Sequence, residues 1–426
     1  MTASIATSQT ILVVGGGISG MTAALEAAEC GRDVVLVERS ATLGGRTALL
    51  YRYFPKMCHP TCGLEINLRR IKGNRRVRVL TMAEVVGVQG SRGAYTARLK
   101  MRPRYVNEHC TACGDCASAV SAEIPNPYNY GLDQIKAAHL PHAMAYPQRY
   151  VIDPSLIGTP EAEKAQTACK AGAIDLAMQE EMVELSVGAV IWATGWKPYD
   201  AEKIQPYGYG RFPNVITSLE FERLADPAGP TGGKLLRPSD GREATNIAFI
   251  QCAGSRDENH LRHCSRICCM ASLKQTQYVR EAHGEAARST VYYIDIRAID
   301  RFEDFYQMVQ RDTTVSFVKS KVARIAQADN GDPVLHGVDT EGYHRYATPH
   351  DLVVLAIGME PEASGIRLPD DLITDSSGFI EGSSDGGMCG AGSASSPLDV
   401  NRSVQSATGA ALRAIKVIHQ TAREEA

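Results

Sequence analysis

Short, uninterrupted apolar runs punctuate the chain at residues 10–14, 33–37, 190–195, 246–251, 290–294 and 351–358. Runs of that length without polar alternation predict strands buried on both faces of a sheet. The stretches 21–30 and from Ser403 onward predict helices. Strand followed by helix followed by strand, repeated, predicts an α/β chain with a parallel sheet. No apolar run approaches the roughly 20 residues that a membrane span requires.

The first predicted strand runs straight into Gly15-Gly16-Gly17-Ile18-Ser19-Gly20 and then the helix. This is the glycine fingerprint of a dinucleotide site. Gly15 makes the tight turn, Gly17 lets the backbone approach a pyrophosphate, and Gly20 permits close helix-strand packing. The second strand ends in Glu38, eighteen residues after Gly20, where a carboxylate accepts the ribose hydroxyls of an adenosine. Arg39 follows it, and Leu43-Gly44-Gly45-Arg46 resembles the G-G loop of two-dinucleotide flavoproteins. Val190 to Gly195, with Thr194 and Gly195 in an A-T-G turn, resembles a later strand of the same superfamily. The segment around Gly392 and Ser393 resembles the part that covers the flavin ring and ribityl chain. An acidic residue usually stands where Ser393 does. FAD is the cofactor these segments imply.

A second nucleotide domain of such a flavoprotein should begin with a strand and a further glycine turn. Here the strand 246–251 runs instead into Cys252-Ala253-Gly254-Ser255. The expectation is that nicotinamide nucleotides do not bind in the usual way. The segment that replaces the turn holds Cys252, Cys264, Cys268 and Cys269. Thiolates so crowded repel one another unless a soft cation shares their charge. Adjacent Cys268 and Cys269 reach different irons of a cubane more readily than one tetrahedral zinc, although spacing alone does not forbid zinc. Buried structural thiols are the plain alternative. His260 and His263 lie in the same segment, either as hydrogen-bond donors to cluster sulfurs or as loop residues.

Between about 101 and 176 the chain carries an internal echo: Arg104-Tyr105-Val106 recurs as Arg149-Tyr150-Val151. That is the two-fold look of a bacterial ferredoxin. Cys110, Cys113 and Cys116 form C-x-x-C-x-x-C, Val120 stands where the fourth cysteine of that half belongs, and the second half lacks its triplet. Cys169 remains as the fourth ligand of one [4Fe-4S] cluster. The alternative is a degenerate domain whose triplet is empty.

Cys58 and Cys62 flank His59-Pro60-Thr61 about a dozen residues after the G-G loop. They fit a redox disulfide, a metal pair with His59, a lining of the flavin pocket, or a packing and partner-contact role. Cys30, at a helix end, is expected in the core; Cys389 has no assigned role.

The spacing Cys252, Cys264, Cys268-Cys269, with Lys274 following, resembles the A subunit of heterodisulfide reductase and its bacterial relatives. The resemblance implies a [4Fe-4S] cluster on those four cysteines and places Lys274 close to the flavin N5, where its charge stabilises reduced flavin. It extends over nearly the whole chain and implies a thioredoxin-reductase-like, Rossmann-type α/β flavoprotein with two dinucleotide-binding domains and an inserted ferredoxin-like domain. The divisions expected are 1–100, 181–240 and 351–426 for the FAD-binding domain, 101–180 for the insertion, and 241–350 for the second Rossmann-like domain carrying the cluster motif. The implied role is a flavin and iron-sulfur electron-transfer subunit, with one or two [4Fe-4S] clusters, a homodimer within a larger heterodisulfide-reductase-like complex that exchanges electrons with a small redox protein or carrier. Residues 53–67 resemble the branch of sulfur-oxidising complexes, with quinone-interacting oxidoreductases of sulfate respiration as the neighbouring alternative. Two other readings are a self-sufficient pyridine-nucleotide disulfide reductase using Cys58 and Cys62, and a scaffold with zinc at the cysteines.

Composition narrows the setting. The 426 residues suffice for two or three domains, and a net charge of -3 with 44% hydrophobic residues offers no basic field for nucleic acid. Residues 1–9 have neither a basic stretch nor an apolar core typical of a secretory leader, so a cytoplasmic protein is expected. Twelve cysteines in a reducing compartment point to ligands and redox groups more than to disulfides.

Overall fold

A computed structural model describes residues 6–362 and 368–424; the first five residues of the polar N-terminal stretch lie outside them. Two compact units emerge. One draws on the chain up to Ala48, on Thr61–Trp196 and on the residues from Pro361 onward; the other comprises Leu49–Pro60 and Lys197–Glu360.

The first unit is built on a seven-stranded sheet. The centre of its five parallel strands is Ile11–Val14, flanked by Val34–Glu38 and Ala189–Trp192, with Val77–Thr81 and Met388–Gly390 beyond. Ile11–Val14, Ala189–Trp192 and, up to Glu38, Val34–Glu38 are apolar and buried because both faces are covered. Ile11, Val13, Leu36 and Ile191 meet the helix Ile18–Glu29 and the alanine stripe Ala407, Ala410, Ala411 and Ala414 of the helix Val400–Glu424. Leu12, Val14, Val35 and Trp192 point the other way, onto Tyr95, Ala97, Leu99 and Leu185 of a three-stranded antiparallel sheet. The period-two alternation thus sorts one strand's residues into two cores.

That antiparallel sheet explains how the insertion is accommodated. Ala94–Met101 and Glu181–Val187 pair directly, with Met101 opposite Glu181. The chain leaves at the end of one strand and returns at its partner's start, leaving the ladder unbroken. Between them, Val106, Cys116, Val120, Ala138, Ile152, Ala162, Ala165 and Ile174 form a separate small core.

The second unit holds a five-stranded parallel sheet in the order Val215–Thr217, Leu352–Ile357, Asn246–Ala253, Arg288–Tyr293, Val315–Lys319. Residues 197–240 lie in this unit, where Val215–Thr217 extends its sheet. A three-stranded antiparallel sheet, Arg324–Gln327, Pro333–Asp339 and His344–Pro349, accompanies it. Among the described residues no helix is long and apolar enough to cross a membrane.

Candidate functional site

In the first unit the glycine turn has the geometry of a phosphate cradle. A Cβ on Gly20 would stand 1.7 Å from the Gly15 carbonyl oxygen, so helix and turn could not close with any larger residue. Gly17, by contrast, has open space beside it, its nearest obstacle being the Gly45 Cα at 3.9 Å. It is the N-cap of Ile18–Glu29 and brings no side-chain cap, so the first-turn N–H groups are left for an anion. The G-G loop is strapped to this turn through Gly44 N–H to Gly16 O at 2.9 Å. The Glu38 carboxylate accepts from Gly16 N–H and Ser40 N–H, both at 2.7 Å, and keeps further lone pairs for ribose hydroxyls.

Thr194 Oγ1 is buried without a hydrogen-bond partner, a cost of about 1–3 kcal/mol unless a ligand engages it. Arg39 and Arg46 converge on Glu362, at 2.8 and 3.6 Å, and Arg46 Nε donates to Trp196 O. Glu362, unmarked by any motif, thus orders two of the predicted site arginines and donates its N–H to Gly195 O at 3.2 Å. Gly392 N–H donates to Ser406 Oγ at 3.0 Å, and Ser393 Oγ lies 3.4 Å from Ser403 Oγ. The residues present fit a bound FAD: an open phosphate turn, a carboxylate at the ribose position, and an orphaned hydroxyl at the A-T-G turn.

The insertion brings its four cysteines together. Cys110, Cys113, Cys116 and Cys169 line one cavity, with Val106, Tyr150 and Ile174 as apolar walls. Ala173 N–H points at Cys169 Sγ, 3.3 Å away, a donor suited to a thiolate. Burial pushes the Cys116 thiol up to about 11. Val120, at the missing fourth position of the first half, is a buried core residue. The two copies of the echo lie side by side: Ile152 N–H bonds Arg104 O, and Arg104 Nε donates to Tyr150 O.

The other four cysteines meet in the second unit. Cys252 sits near the end of the strand Asn246–Ala253, and Cys268 and Cys269 open the helix Cys268–His283. On a helix, consecutive residues point about 100° apart, so the pair addresses two positions rather than one. The intervening loop folds back on itself: Leu261 N–H bonds Gly254 O, Arg256 N–H bonds His263 O, and Ser255 Oγ meets Ser265 Oγ at 2.7 Å. Arg266 N–H faces Cys264 Sγ at 3.3 Å and Arg297 N–H faces Cys269 Sγ at 3.4 Å. Burial raises the Cys252 thiol, sends Cys268 well above the ordinary thiol value and pushes Cys269 up to about 12. Such thiolates form only against a compensating cation. A cubane takes each thiolate at its own iron, and each set supplies the four cysteines it needs.

Other sequence candidates have defined surroundings. Lys274 is buried, 2.8 Å from Glu222 Oε1, and donates to Arg52 O at 2.6 Å. His260 Nδ1 pairs with the Tyr199 hydroxyl at 2.8 Å, and His263 Nε2 with Met359 O at 2.8 Å. Cys58 lies in the second unit and Cys62 in the helix Thr61–Gly73 of the first; both are exposed. Cys30 is exposed as well, contrary to the expectation of a core position, because it is the C-cap residue just past the buried Ala27 and Ala28. Cys389 is buried.

Residues 10–89 match the family described as FAD dependent oxidoreductase. The chain is 39% identical over 366 residues to the A subunit of the Ferredoxin:CoB-CoM heterodisulfide reductase of Methanosarcina mazei, covering 84% of this chain and 46% of that protein. It is 36% identical over 418 residues to an iron-sulfur A subunit, the one numbered 2, of the CoB--CoM heterodisulfide reductase of Methanopyrus kandleri, covering 95% and 63%. The chain thus spans about half to two-thirds of the length of these relatives. Among solved structures it is similar in fold to the thioredoxin reductase of T. acidophilum (TM-score 0.53, 12% identity, 96% of this chain and 98% of that one). The bacillithiol disulfide reductase of Bacillus cereus has the same score and identity, with coverage of 97% and 99%.

Proposed function

Because the chain is a homologue of the heterodisulfide reductase A subunits over nearly its whole length, we propose that it is the FAD and iron-sulfur electron-transfer subunit of a heterodisulfide-reductase-like complex. The observation that carries this reading is the gathering of Cys252, Cys264, Cys268 and Cys269 beyond the end of the central strand Asn246–Ala253, where a nucleotide-phosphate turn would otherwise stand. Flavin exchanges two electrons and a cluster one, so their pairing divides a two-electron reaction into single transfers. The protein's own residues hold and insulate these groups. Gly17 and the uncapped helix behind it take the pyrophosphate, Glu38 the ribose, and Thr194 supplies the hydroxyl at the A-T-G turn. Arg266 and Arg297 N–H groups stabilise thiolates. Cys110, Cys113, Cys116 and Cys169 would hold a second cluster, which would supply one-electron exchange with a partner protein of the complex or a small redox carrier. The setting we propose is a cytoplasmic, homodimeric component of sulfur oxidation, supported by the resemblance of residues 53–67.

Iron and labile sulfide analysis with low-temperature EPR, on wild type, Cys264→Ala and Cys113→Ala, tests it. About eight irons per chain, falling by about half in each variant, is the expected result. Stoichiometric zinc without iron would overturn the reading.

A further inference from the structure

Arg104 belongs to the R-Y-V echo and is 6% exposed. Its guanidinium donates to backbone carbonyls alone: Nε to Tyr150 O at 3.2 Å, Nη1 to Ala41 O at 3.0 Å, and Nη2 to the same Ala41 oxygen. Among the described residues no carboxylate pairs with it. Burying an unpaired cation is strongly unfavourable, and buried charges are as a rule paired. Here the surroundings make matters worse. Burial and the neighbouring Arg149 both act against the charge on Arg104, which also presses on the half-buried His139; the opposing influence is Cys110.

The position says what the missing counter-charge is. Arg104 stands two residues before Val106 and is bonded to Tyr150, both walls of the four-cysteine cavity. Four thiolates on a [4Fe-4S] core carry net negative charge, which grows by one on reduction. Resting on the reading of Cys110, Cys113, Cys116 and Cys169 as cluster ligands, we propose that Arg104 is the buried counter-charge of that cluster and raises its reduction potential. Its other contact, Ala41, leads directly into Leu43-Gly44-Gly45, so the same side chain ties the insertion to the loop strapped onto the phosphate turn. The first arginine of the echo is thereby explained as an electrostatic element of the electron path, and the second, Arg149, adds charge of the same sign nearby.

The test is a redox titration of the anaerobic, FAD-loaded protein followed by EPR, with iron content, for wild type, Arg104→Met and Arg104→Lys. The Cys113→Ala variant identifies which signal belongs to this cluster. Arg104→Met should keep its iron and become at least tenfold harder to reduce at this cluster, about 59 mV for a one-electron couple. The Cys264-dependent signal should stay where it is, and Arg104→Lys should remain close to wild type. An Arg104→Met potential equal to wild type overturns the inference while leaving the cluster reading intact. If Arg104→Met loses the Cys113-dependent iron, the lysine variant decides: retention at the wild-type potential supports the role of charge, and loss there too overturns it. Absence of Cys113-dependent iron from the wild type itself would remove the cluster reading and the inference with it.

Discussion

His350 is 2% exposed, with both ring nitrogens engaged by neutral partners: Nδ1 donates to Asn246 Oδ1 at 2.9 Å, and Nε2 accepts from the Tyr292 hydroxyl at 3.0 Å. Burial draws its pKa down to about 4 from 6.5, against the opposing field of Asp351. The folded value lies below the unfolded one, so the unfolded chain takes up the proton first. Stability is therefore full above pH 6.5 and is lost as pH falls toward 4, by about 3 kcal/mol in total and about 2 kcal/mol by pH 5. Urea denaturation at pH 7.5 and pH 5 should show a wider loss for wild type than for His350→Gln. Equal losses would sink the assignment. The same weighing of burial against partners picks out Arg104, Glu222 and Glu362, none of which lies in a recognised motif. The echo alone marks Arg104, and nothing in the local sequence signals that Glu222 will meet Lys274 across fifty residues of chain.

The helix Ser218–Ala225 carries Glu222 and starts with a capping box: Thr217 Oγ1 accepts from Glu220 N–H at 3.3 Å, while Glu220 Oε2 accepts from Thr217 N–H at 2.6 Å. Thr217→Ala should lower stability by about 1 kcal/mol, measured as a shift of the denaturation midpoint, and Thr217→Ser should not. A threonine three residues before a glutamate is a signal legible in sequence. So are the buried strands, since apolar runs such as I-L-V-V have few other fates, and so are both cysteine sets, whose crowding is a chemical statement in itself. Element ends are less legible. The first helix begins at Ile18 rather than near Met21, because Gly17 serves as N-cap. The strand Val215–Thr217 escapes a reading by pattern because three residues give no periodicity; its identity comes from pairing with Leu352–Ile357, more than a hundred residues away. That long-range pairing is also why residues 197–240 belong to the second unit.

At the scale of the whole molecule, the fold is that of two-dinucleotide flavoproteins, yet the second unit's nucleotide turn has been rebuilt. A nicotinamide nucleotide would need glycine backbone at the end of Asn246–Ala253 and free N–H groups at the next helix. Gly254 does lie there, but a Cβ on it would meet the Tyr199 ring at 2.4 Å, so its smallness serves side-chain packing. The next helix opens with the buried thiols Cys268 and Cys269. We predict that electrons enter by a route other than hydride transfer to flavin from NADH or NADPH. Anaerobic mixing of the FAD-loaded protein with either nucleotide should leave the flavin absorbance unchanged over minutes, whereas a low-potential one-electron donor such as reduced viologen should bleach it. The Cys264→Ala variant should slow the viologen reaction and leave the nucleotide result as it was. Rapid bleaching by NADPH, accompanied by two new titratable thiols and abolished in a Cys58→Ser, Cys62→Ser double variant, would instead establish a disulfide reductase and overturn the electron-transfer reading.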